Sequence, residues 1–149
     1  MRVREIEIRY KAGINISEVK TIDSPEAVYR VLRSKLEDMT RELFFVLCLD
    51  NKNRMYGYNI VSMGTVSESL VHPREVFQVA EAFKEALITN SCSIIVAHNH
   101  PSGITKPSTE DIATTKRLVD AGKILGIPLL DHVIIGNDSY ASMKEQGYM

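Results

Sequence analysis

The chain has 149 residues, and its 18 lysines and arginines stand against 19 aspartates and glutamates for a formal net charge of −1. That length suits one domain spanning 1–149, since a chain of this size removes roughly 68–70% of its extended surface from water, whereas two half-size domains would each be hard to stabilise. The near-neutral balance argues against a protein whose main task is gripping nucleic acid, because affinity for a phosphate backbone grows with the phosphates neutralised.

Residues 2–10 alternate imperfectly between apolar and charged positions and read as an edge strand. Ser24-Pro25 opens a first helix: serine can cap, and proline at the first helical position loses no useful donor. Val28, Val31, Leu32 and Leu36 then recur at helical spacing. Glu42 leads into Leu43-Phe44-Phe45-Val46-Leu47-Cys48-Leu49-Asp50, a short apolar run that reads as a strand covered on both faces. Asn51-Lys52-Asn53 is a turn and 55–63 a hairpin partner, so at least one strand pair is expected to be antiparallel. His72-Pro73 repeats the capped entry, before a helix with Val76, Val79, Ala80, Phe83 and Leu87 as its apolar stripe. Ser93-Ile94-Ile95-Val96-Ala97 is a second buried strand, followed by a loop from Pro101 to Pro107. Ser108 starts a third helix with Ile112, Leu118, Val119 and Leu125 inward and Gly126 as terminator. Residues 129–135 form the last strong strand and 139–143 a short edge. The order β-α-β-β-α-β-α-β predicts an α/β domain, a three-layer α/β/α sandwich around a mixed sheet.

Two cysteines are too few for a disulfide framework, so Cys48 and Cys92 are expected to be buried free thiols in a reducing cytoplasm. No apolar run follows basic residues near the start, so no signal peptide is expected. The longest apolar stretches reach about half of the roughly 20 residues a membrane span needs.

The segment that carries chemistry is Ala97-His98-Asn99-His100-Pro101-Ser102-Gly103, continuing to Pro107-Ser108-Thr109-Glu110-Asp111. In extended chain, residues i and i+2 point to the same side, so His98 and His100 present two imidazoles together where a strand ends. Asp111 follows near a helix start, after a loop long enough to fold back. Two imidazoles and one carboxylate make three ligands for Zn²⁺ and leave a fourth position open, as in catalytic rather than structural zinc sites. Ser108 to Asp111 is also an ordinary helix-start signature, with a capping serine and acidic residues in the first turn. The two readings are compatible, because a capped first turn would hold Asp111 firmly.

His98-x-His100, ten intervening residues, Asp111 and a serine three before it resemble the JAMM motif of JAB/MPN metalloproteases. The surrounding His98-Asn99-His100-Pro101-Ser102-Gly103 and Asp131-His132-Val133-Ile134-Ile135-Gly136 resemble the RadC-type branch more narrowly, and the similarity spans about 24–149. It implies a cytidine-deaminase-like fold around zinc, and a hydrolase of peptide or isopeptide bonds acting on a protein or peptide. The family also carries a glutamate that does not bind the metal, at the entry to a strand just before an apolar run. Glu42 matches that position and would act as general base. Glu68 and Glu75 compete, since both precede the metal-bearing strand; Glu75 reads more simply as an acidic first turn of a helix. Ser108 carries over as the hydroxyl that stabilises a developing oxyanion, with plain capping as the alternative. His132 reads as a strand histidine or as a neighbour of the site, and His72 as the residue before a helix.

The resemblance prompts two competing readings. RadC-type proteins carry a DNA-repair label, but longer members have an N-terminal helix–hairpin–helix region for which no counterpart is expected in these 149 residues, and the charge shows no basic footprint. A metal-stabilised binding module without catalysis is the other. The letters His-Asn-His also resemble HNH nucleases, whose metal and base residues have different spacing. A zinc deaminase is excluded, because it needs His-x-Glu and a Pro-Cys-x-x-Cys pair, and position 100 is His. Better-known isopeptidases usually carry Ser or Thr between the metal histidines, where this chain has Asn99, and carry insertions that grip ubiquitin. The substrate is therefore left open.

Overall fold

In a computed structural model the chain is described over residues 21–36, 39–61 and 71–149, with isolated positions 4, 5, 7, 9 and 11; within 71–78 only the backbone is described. The strand expected over 2–10 falls largely outside these residues, as do Glu68 and the side chains of His72 and Glu75. The elements are α1 (Pro25–Leu36), β1 (Phe44–Leu49), β2 (Met55–Val61), α2 (Val71–Ile88), β3 (Ser93–Asn99), α3 (Thr109–Leu125), β4 (Leu129–Ile135) and β5 (Tyr140–Ser142).

Local chemistry explains the boundaries. Ser24 Oγ accepts the Ala27 N–H at 3.2 Å, capping α1, while Glu26 at its start and Arg33 and Lys35 at its end complement the helix dipole. Asp50 Oδ1 accepts the Lys52 and Arg54 N–H groups at 2.8 and 3.0 Å, and Asn53 takes the left-handed φ of 56° that turns β1 into β2. Gly126, at φ 70°, ends α3 as expected.

The sheet order is β2-β1-β3-β4-β5. β1 runs antiparallel to β2 and to β3, β3 is parallel to β4 across α3, and β5 returns antiparallel to β4. Side-chain alternation divides the core. Phe45, Leu47, Leu49, Ile95, Ala97, Val133 and Ile135 pack on the α1 stripe, while Phe44, Val46, Cys48, Ile94 and Val96 pack with Phe83 of α2 and Leu118 of α3. The mixed sheet is thus covered on both faces, in the three layers the element order predicts. Among the described residues no helix is long and apolar enough to cross a membrane.

Three expectations are corrected. Among the described side chains of α2, Ala82, Phe83 and Ala86 are buried and Val79 packs beside them, whereas Ala80 and Leu87 are exposed. Each helical position turns about 100°, so Leu87 lies one step off the row that Phe83 and Ala86 seat on the sheet. Leu125 is exposed because α3 buries Thr115, Leu118 and Gly122 instead, a row from which Leu125 is turned away. Cys48 is buried as expected, but Cys92 is exposed, since it precedes β3 rather than lying within it; both thiols are free.

At Gly122 a Cβ would stand 2.6 Å from the carbonyl oxygen of Ile127, a backbone atom that cannot swing aside. Gly122→Ala gains about 1 kcal/mol of helix propensity but incurs overpacking of about 1–3 kcal/mol. A net loss of about 1 kcal/mol is expected, read as a lower denaturant midpoint at unchanged slope.

Candidate metal centre

Alternation along β3 turns His98 to the face shared with α2 and α3. There the cross-strand partner Phe44 stacks on it, with ring centroids 6.0 Å apart and planes at 13°. His98 is buried; His100, just past the end of β3, is partly buried and donates its N–H to Ile135 O at 3.0 Å. The loop after it lies tight against the end of β4, where a Cβ at Gly136 would come 2.4 Å from Gly103 O. That packing holds the Ile104 carbonyl 2.8 Å from His100 Nδ1.

The start of α3 supplies the carboxylate. Ser108 Oγ accepts the Asp111 N–H at 3.0 Å and Asp111 Oδ2 accepts the Ser108 N–H at 2.8 Å, a reciprocal capping box. Capping uses a lone pair of the Ser108 oxygen, not its hydroxyl proton. The box aims Asp111 so that Oδ1 lies 3.2 Å from His98 Nε2 and Oδ2 lies 3.2 Å from His100 Nε2. Burial works against the Asp111 charge, but the hydrogen bond and charge of His98 and the bonds from Ser108 outweigh it and hold the carboxyl well below the usual range. Glu42, before β1, brings Oε1 to 3.8 Å from His98 Nε2. The ligand atoms of Glu42, His98, His100 and Asp111 all lie within 4.8 Å of one another.

Hydrogen-bond direction shows which imidazole nitrogens face this point. Thr115 Oγ1 donates its single proton to Asp111 O at 2.7 Å, so it accepts from His132 Nδ1 at 2.7 Å. Burial, reinforced by neighbouring His98, pushes His132 well below the ordinary imidazole range. The neutral ring thus offers Nε2 as acceptor to His98 Nδ1–H at 2.7 Å. His98 therefore turns Nε2 toward Asp111, where a proton supplies the hydrogen bond and charge that Asp111 feels and a cation would take the proton's place. His100 donates from Nδ1 to Ile104 O and also presents Nε2. Two Nε2 atoms 3.0 Å apart, beside an ionised carboxylate, repel each other unless a cation or proton lies between them. The donor set fits a divalent cation.

His98, His100, Asp111 and Glu42 are thus brought together, and Ser108 caps the helix that carries Asp111. His132 is a strand histidine that also touches the site. Thr115, not singled out from the sequence, lies four residues after Asp111 on the same helix face, a spacing that points to it.

A family model, RadC-like JAB domain, matches residues 22–148. The chain belongs to the RadC-like JAB domain family. Similar proteins include a UPF0758 protein of Methanosarcina barkeri, 45% identical over 130 residues that cover 87% of this chain and 54% of that protein. Another, from Staphylococcus haemolyticus, is 46% identical over 134 residues, covering 90% and 56% of the two chains. A third, from Desulfitobacterium hafniense, is 47% identical over 128 residues, covering 86% and 54%. The chain therefore spans about half the length of the curated relatives it matches. Within this JAB domain the Glu-His-His-Asp cluster is a JAMM-type ligand set able to take a divalent metal.

Thr115→Val keeps the side-chain shape and removes the oxygen that orients His132 and, through it, His98. Metal affinity should fall by about 10–100-fold, measured by competition with a chromophoric chelator. An unchanged affinity would remove Thr115 from the chain of hydrogen bonds that orients the ligands.

Proposed function

We propose that this JAB domain is a zinc-dependent hydrolase of peptide or isopeptide bonds. One juxtaposition carries the reading. Glu42 Oε1 stands 3.8 Å from a ligand nitrogen while 40% of its side chain is exposed. A carboxylate at that border is suited to moving protons between the site and solvent rather than to closing a metal shell. Zinc held by His98, His100 and Asp111 would polarise a carbonyl and bring the pKa of a water in the open position to about 7. Glu42 would accept the proton of the attacking water and return it to the departing amine, through the same carboxylate. The Ser108 hydroxyl proton, which capping does not use, would donate to the carbonyl oxygen under attack. The substrate class is an amide-linked protein or peptide, and the two free cysteines support a reducing, cytoplasmic setting.

Metal analysis of protein purified without chelator should find close to one zinc per chain, and His98→Ala should lose it. Glu42→Gln should keep the metal while hydrolysis of peptide- and isopeptide-linked fluorogenic libraries falls by about 10²–10⁴. Protein devoid of divalent metal, or a Glu42→Gln variant as active as the unsubstituted chain, would overturn the reading.

A further inference from the structure

We propose that Asn99, the residue between the two ligand histidines, is a positioning residue for Glu42. Its carboxamide clamps the backbone on both sides of the glutamate and so sets the carboxylate against the metal ligands. The inference rests on the role given to Glu42 above and adds the means by which the chain holds it in place.

Asn99 ends β3 and is 4% exposed, between the two histidines whose ring nitrogens converge. Its side chain goes elsewhere. Oδ1 accepts the Leu43 N–H at 2.7 Å, and Nδ2 donates to Arg41 O at 3.1 Å. These two backbone groups flank Glu42. The β1–β3 ladder ends at the pair Phe44 and His98, and residues 39–43 are in neither helix nor strand. Regular pairing therefore stops short of Glu42, and the Asn99 amide supplies one more rung.

Only a carboxamide offers a donor and an acceptor side by side, as a peptide group does. A Ser or Thr hydroxyl has a single proton and a shorter reach. A carboxylate offers acceptors alone and would face the Arg41 carbonyl. Shielding from water makes both bonds more consequential than surface ones. Glu42 itself is long, flexible and partly exposed, so an unclamped backbone would let its carboxylate sample many positions away from His98. The same residue thus joins the strand that carries the ligands to the segment that carries the base.

The test uses the full chain loaded with Co²⁺ as a spectroscopic probe. Glu42→Gln should shift the visible ligand-field bands, because the carboxylate beside the metal has changed. Asn99→Ala and Asn99→Asp should reproduce a shift, while Zn²⁺ affinity changes far less than the about 10–100-fold lost when a ligand-orienting partner is removed. The double variant Asn99→Ala/Glu42→Gln should show no shift beyond that of Glu42→Gln alone. An unshifted spectrum in the Asn99 variants, or an added shift in the double variant, would overturn the clamp while leaving the hydrolase reading standing. Failure of the unsubstituted protein to bind Co²⁺ would sink both. If the Asn99 variants do not fold, hydrogen exchange at the Leu43 amide of the unsubstituted chain decides. Slowing by about tenfold or more against an open amide supports the clamp, and exchange at the open rate overturns it.

Discussion

One extra residue in β4 is the constraint on which the site depends. β3 and β4 run parallel with Ile94 opposite Leu129 and Val96 opposite His132, so β4 spends three residues where β3 spends two. Such a bulge reverses the in–out alternation of every residue after it. Leu129 packs with the α2 and α3 side, and without the bulge His132 would face α1. With it, His132 reaches the same face as His98 and accepts from its Nδ1 at 2.7 Å. The irregularity is held by Asp131, a buried carboxylate that accepts the His132 N–H at 2.7 Å, the Ser142 hydroxyl at 2.7 Å and the Lys144 N–H at 3.2 Å. Without His132, the His98 ring would carry a buried N–H with no acceptor, at a cost of about 1–3 kcal/mol, and its orientation would be free to reverse.

Electrostatics favours the same arrangement. The amino terminus of α3 carries the positive end of a helix dipole and would by itself oppose a cation. Glu110 and Asp111 in the first turn offset that charge, and Asp111 has two tasks at once: its Oδ2 closes the capping box while both oxygens face the imidazoles. A residue fixed by its helix start loses little freedom when it also serves as a ligand. Opposite it, Phe44 covers the His98 ring and keeps water from the buried side of the site. Glu42 lies on a solvent-exposed side of the cluster, with 40% of its side chain accessible.

Residues whose partners are near in sequence were legible. His98 and His100 needed only the period of an extended chain, and Ser108 and Asp111 needed only the reach of a cap over one turn. Val28, Val31, Leu32 and Leu36 were read correctly because a capped start fixes the phase of α1. Leu87 and Leu125 were misread because hydrophobicity tells how apolar a position is and not which way the helix is turned on the sheet. Glu42 entered through family resemblance, since no periodicity links it to a strand that begins some fifty residues later. Asn99 was visible as a departure from the better-known pattern, but its partners Arg41 and Leu43 lie 58 and 56 positions away.

The sequence by itself determined the order of elements from α1 onward, the two apolar layers and the His98, His100 and Asp111 members of the candidate metal-ligand cluster, because each depends on spacing within one strand, one helix or one turn. Which nitrogen each imidazole presents, which glutamate stands beside them and why His132 matters were decided only by the tertiary structure. Those features depend on the β1–β3 register, on the bulge in β4 and on the close approach of the loop after His100 to Gly136, and none of these leaves a local period in the chain.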